Sequence, residues 1–141
     1  EANVNVHQST LLLLSSAAHE SAHYLGVAKE DEANFVAYLA CMESDDPAVA
    51  YSGVMLALIH ATNKLDRAEP AAFMAVRKTY SEGMVRDILA YNAYWESYEG
   101  AVEEAVTEIN DIYLKHNQQG SGVKSYGLMV DLLLAWYFQG V

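Results

Sequence analysis

The stretch from Gln8 to Leu25 constrains the fold more than any other part of the chain. Leu11 to Leu14, with Ala17 and Ala18, make it apolar on nearly every side of a helix. A helix of that kind must be enclosed by others. Yet the same helix carries His19, Glu20 and His23. Burying those groups costs several kcal/mol unless something pairs with them. Gly26 then stands where a left-handed cap would end the helix.

The segments that follow have the spacing of further helices. Glu30 to Glu43 predicts a second helix, with Phe35, Val36, Leu39 and Met42 as its apolar stripe. Asp46 and Pro47 form an N-cap and first helical position for a third, which extends to about Thr62. Asn63 to Glu69 reads as a polar connection, and Pro70 opens a fourth helix reaching roughly Thr79. Ser81 caps a fifth that carries Met84, Ile88, Tyr91 and Trp95, ahead of the stretch Ala101 to Leu114. Asn117 to Gly122 is the clearest loop, and a last apolar helix runs from about Val123 to Phe138. The expected architecture is a compact all-α bundle in one domain over residues 1–141. At most one short strand is expected, among Asn3 to Val6.

Composition supports that reading and removes some functions. Two prolines and eight glycines are few interruptions for 141 residues, and an apolar content of 52% fills one core. The net charge of −11, with only eight scattered Lys and Arg, argues against nucleic acid as a partner. The single cysteine, Cys41, has no partner for an intrachain disulfide and sits in an apolar run, which suits a buried, inert thiol. No apolar run approaches the roughly 20 residues needed to cross a bilayer. The abrupt start, without an initiator methionine, suggests a fragment or a processed form.

The pattern His19-Glu20-Ser21-Ala22-His23 points to a metal. Positions i and i+4 share a helix face, about 6 Å apart at Cβ, so both imidazoles can reach one zinc ion at roughly 2.0–2.1 Å. Glu20 lies about 100° round the helix. There it flanks the ion without ligating it, where a general base must stand. A catalytic site needs a third protein ligand and an open position. The His-Glu-x-x-His-x-x-Gly-x-x-His pattern of the metzincins fails, because Lys29 occupies the last place. A hairpin centred between Val27 and Ala28 instead brings residue 32 opposite residue 23, which makes Glu32 the expected third ligand. Glu30 and Asp31 then read as solvated first-turn acids favoured by the helix dipole. The plainer alternative for Glu32 is that it is one more such acid.

The residues also resemble a known family. His19-Glu20-x-x-His23-x-x-Gly26, Glu30 to Phe35, Tyr51-Ser52-Gly53, Tyr113-Leu114-Lys115, Gly122 to Gly127 and Val130 to Leu133 occur in this order in uncharacterised bacterial membrane proteins. That family is a domain of unknown function with an HExxH motif, and Glu1 to Asn5 is similar to the segment preceding its motif helix. Its members have N-terminal transmembrane helices. The resemblance therefore implies a soluble domain of a membrane-anchored protein, on the extracytoplasmic side. Glu32-Ala33-Asn34 is also similar to the metal-binding glutamate segment of gluzincin peptidases, although there the glutamate lies farther downstream.

The expected function is a zinc-dependent metallopeptidase acting on peptide or protein substrates, with one zinc ion held by His19, His23 and Glu32. Glu20 is its general base, and Tyr126 is the candidate donor to the oxyanion. Asp131 is a candidate for orienting a ligand histidine, or a surface residue. His60 reads as a core histidine. Val4 and its neighbours, as an edge strand, could align an extended peptide. The alternative is a membrane-tethered sensor or scaffold that binds metal or peptide without turnover.

Overall fold

A computed structural model of the chain describes residues 4, 5, 7, 9–97 and 128–139. Helix α1 spans Thr10–Tyr24, α2 Glu30–Met42, α3 Pro47–Ala68, α4 Pro70–Arg77, and α6 Leu128–Gln139. Helix α5 begins at residue 82 and is described to residue 97. The fold is all-α, and no strand occurs among the described residues. Helices α1, α2 and α3 pack on one another. Helix α6 lies against α2 and α3, and α4 folds back on α3.

Local signals set most of the boundaries. Asp46 accepts a hydrogen bond from Ala48 N at 2.8 Å, and Pro47 takes the first position of α3. Ser81 Oγ accepts from Met84 N at 3.3 Å at the start of α5. Helix α3, however, does not stop near Thr62. It runs through Asn63 to Ala68, so the expected polar connection shrinks to Glu69. Lys64, Leu65 and Arg67 are good helix formers, and no glycine or proline intervenes before Pro70. Polarity there marks a solvated face rather than a loop. The stretch Ala101 to Leu114, the 117–122 loop, and residues 123–127 of the expected last helix lie outside the described residues.

Where α2 meets α3, the centre of the bundle is lined by small side chains of α2. Ala33, Ala37 and Cys41, four residues apart on α2, are fully buried, as is Met55 on α3. The larger side chains expected on the inward stripe of α2 sit further out: Phe35, Leu39 and Met42 are half-buried and Val36 is exposed. The cause is close approach between α2 and α3. A Cβ added to Gly53 of α3 would collide with the Cβ of Cys41. Only a row of small residues lets the two backbones come so near. Burial pushes the Cys41 thiol pKa above its ordinary value, as suits an inert packing group.

Helices α1 and α3 are joined by a different device. The Ser52 hydroxyl donates to Leu11 O at 2.9 Å and accepts from Ser15 N at 3.0 Å. Those two backbone groups are the partners that one turn of a regular helix pairs directly. Ser52 is thus wedged against the ladder of α1, one turn before His19, with Ser15 Oγ 3.1 Å away. Both serines are buried.

Replacing Gly53 with Ala is expected to lower stability by about 1–3 kcal/mol through overpacking. Urea unfolding followed by circular dichroism checks this, and an unchanged midpoint would contradict the close α2–α3 approach.

Candidate metal centre

The turn between α1 and α2 decides which side chains meet. Leu25 ends α1, and Gly26 takes φ +104°, a left-handed conformation that costs glycine nothing. Gly26 N donates to His23 O and Val27 N donates to Ala22 O, each at 3.0 Å. These two bonds form a Schellman motif. The reversal therefore begins at Gly26 itself, nearer α1 than a centre between Val27 and Ala28. It places the first residue of α2, Glu30, opposite the two histidines.

His19 Nε2 and His23 Nε2 are 3.0 Å apart. Glu30 Oε2 lies 3.2 Å from His19 Nε2, and Glu30 Oε1 lies 3.4 Å from His23 Nε2. Among the described residues, these three side chains are the group whose ligand atoms converge as a metal site requires. Tetrahedral zinc with bonds of about 2.0–2.1 Å has ligand atoms about 3.3–3.4 Å apart. The observed spacings lie close to that edge length.

Glu32, the expected third ligand, is not part of this group. It pairs with Lys29 Nζ at 2.7 Å, and that contact raises the Lys29 pKa. Residues two apart on a helix point about 200° from each other, so Glu30 and Glu32 cannot both face α1. The hairpin register makes Glu30, although exposed, the one that faces the histidines. Asp31 is not a solvated acid either. It is buried, and its carboxylate accepts from Met129 N at 3.4 Å at the start of α6. The favourable helix end it meets is that of another helix.

Proton positions strengthen the case for a cation. His23 Nδ1 is 2.7 Å from Val27 O, and a carbonyl only accepts, so Nδ1 carries a proton. The Nε2 of neutral His23 then presents a lone pair to the centre. A backbone carbonyl on the far nitrogen is the usual way a metal-ligating histidine is oriented. Glu30 adds two more acceptor oxygens. His19 Nδ1 is buried and has no hydrogen-bond partner among the described residues. The Nε2 atoms of both histidines and the two Glu30 oxygens thus face one point, the arrangement a bound cation would occupy.

Glu20 is half-buried and lines, with His19 and Glu30, an open cleft of about 520 Å³. Val4, Asn34, Leu56 and Trp95 form other parts of its wall. Val4 and Asn5 reach the cleft without being in a strand, while residues 3 and 6 lie outside the described residues. Tyr126 also lies outside them. Asp131 is on the surface, paired with Lys64 Nζ at 2.5 Å, and ties α6 to α3 rather than orienting a ligand. Burial lowers the His60 pKa, against the pull of Asp31 and with a smaller push from His19, so this histidine stands behind the centre in its neutral form. No residue number or spacing marked Asp31 or Trp95 in advance. Glu30, read from the sequence as a solvated first-turn acid, could have been found from its place directly after a short turn.

A helical domain with two histidines and a glutamate converging at the edge of a cleft defines the class of protein in structural terms. The chain belongs to the family described as Protein of unknown function (DUF3810), which it matches over residues 1–134. Comparison with curated proteins and with solved structures gives no match. Among the described residues no helix is long and apolar enough to cross a membrane.

Two measurements test this geometry. In competition with a chromophoric chelator, Glu30→Gln is expected to weaken zinc binding by more than about 100-fold, beyond the 10–100-fold typical of an outer-shell partner. Glu32→Gln should leave affinity unchanged, and the reverse order would restore Glu32 as ligand. The His60 prediction concerns pH. Its folded pKa lies below the ordinary 6.5, so the unfolded chain takes up a proton first as pH falls. The stability that neutral His60 contributes is present above 6.5 and is lost on acidification. With chelator present, His60→Gln should show a shallower fall in melting temperature below pH 6.5 than the parent; parallel curves would contradict it.

Proposed function

We propose that this chain is the catalytic domain of a zinc-dependent metallopeptidase of the gluzincin kind, with His19, His23 and Glu30 holding one zinc ion. The observation that carries the reading is the convergence of three ligand side chains, two of which, His19 and Glu30, line one open cleft with Glu20. Two neutral imidazoles and a carboxylate suit zinc, and they leave a coordination position free. The same donor types hold ferrous iron in some oxygenases, but a glutamate directly after the first histidine is the hydrolytic pattern. Zinc held there would supply a Lewis acid and bring the pKa of its water to about 7.

The chain's own residues account for the rest. Glu20 takes the proton from the attacking water and returns it to the leaving amine, the two roles a single carboxylate fills in amide hydrolysis. No cation pairs with Glu20 among the described residues, which leaves its carboxylate available as a base. Val27 O holds His23 in the tautomer that points Nε2 at the centre. The proposal extends to a parent protein anchored in the bacterial membrane, with this domain on the extracytoplasmic side. That extension rests on the resemblance of the blocks from Glu1 to Leu133.

Elemental analysis of purified protein is expected to return one zinc per chain, with iron absent. Glu20→Gln should retain the zinc and lose peptide hydrolysis by about 10²–10⁴-fold, the usual worth of a general base. Hydrolysis unaffected by this change would overturn the mechanism. Zinc bound by a parent protein that cleaves nothing in a broad peptide library would favour a non-catalytic sensor or scaffold.

A further inference from the structure

The cleft carries one large side chain with no part in holding a metal. Trp95 of α5 lines it together with His19, Glu20 and Leu56. Its surface is 47% exposed, a large area for the largest aromatic side chain. The indole is nonetheless held from behind. The rings of Tyr91 and Tyr94 meet it edge-on, with centroids 6.2 and 5.3 Å away. A fixed aromatic surface open to a cleft is the form an anchoring pocket takes. The polar groups near it are of another kind: Asn34, one turn beyond Glu30, offers an amide that both donates and accepts.

We infer that Trp95 is the specificity wall of this cleft, against which a large apolar side chain of an extended peptide packs beside the scissile bond. The inference rests on the peptidase reading above and names its substrate class. Trp95 and Leu56 give the apolar contact, and Asn34 holds the peptide main chain. An acidic side chain is disfavoured there, because Trp95 and Leu56 would desolvate its carboxylate and no Lys or Arg among the described residues lines the cleft to pair with it. The preferred substrates are peptides with Phe or Leu next to the cleaved bond, and those with Asp there are the poorest.

Trp95 and Trp136 are the two tryptophans of the chain, and Trp136 on α6 packs against Tyr38 at 6.1 Å. In the full chain, Trp136→Phe leaves Trp95 as the sole indole reporter. The zinc-loaded variant is titrated with peptide hydroxamates that differ only in one residue: Phe, Leu, Ala or Asp. The expected result is a saturable change in Trp95 fluorescence, at least tenfold tighter for Phe and Leu than for Ala, and weakest for Asp. In parallel, Trp95→Ala should cut kcat/KM for Phe and Leu peptides by about tenfold or more and so erase their advantage over Ala peptides, with zinc content unchanged. Equal affinities across the series, or no fluorescence change, would overturn the inference. A Trp95 response with the expected order but no turnover of any peptide would support the apolar wall while overturning the peptidase reading. Uniform loss on all peptides in Trp95→Ala would mark a structural role and overturn the inference.

Discussion

The geometry of the cleft depends on how the chain reverses between His23 and Glu30. Two backbone hydrogen bonds across Gly26 turn it within a few residues of the end of α1. That reversal determines which acid of α2 faces the histidines. If the turn were centred one residue later, the helix would present a different side, because each residue adds about 100°. The same turn supplies Val27 O, which fixes the ring of His23. One short segment therefore selects a third side chain for the centre and sets the proton position of another.

Much of the fold is legible in the sequence because caps are local events. Asp46-Pro47, Ser81 and Gly26 each act through hydrogen bonds within a few residues, and each behaves as its type predicts. The two histidines are legible for the same reason, since i and i+4 need only a helix to share a face. What the sequence hides is relative placement. Nothing local separates Glu30 from Glu32; the hairpin register does, and a shift of two residues exchanges them. Likewise, size suggested Phe35, Val36, Leu39 and Met42 as the inner face of α2, while the close approach at Gly53 selected Ala33, Ala37 and Cys41. Asp31 gives the sharpest case. Its neighbours make it look like a surface acid, and only the arrival of α6 explains its burial.

The polar groups inside this bundle divide into two kinds. Ser15 and Ser52 satisfy one another and the backbone of α1, so their burial is fully matched. His19 is matched only in part, since its Nδ1 is buried with no hydrogen-bond partner among the described residues. Unsatisfied groups of that sort destabilise a fold unless a function keeps them. The contrast shows that the chain can match buried polar groups where structure alone is at stake.

The small-residue core has a further consequence for how the domain would be assembled in a cell. Ala33, Ala37, Cys41 and Met55 are fully buried and Gly53 lies against Cys41, and none of these residues belongs to the metal centre. In small zinc modules the ion is the keystone, and the polypeptide collapses into disorder without it. Here an ion would be a late arrival at a finished building. Folding would then not wait on the metal, and a chain that had yet to meet zinc would already have its helices in place.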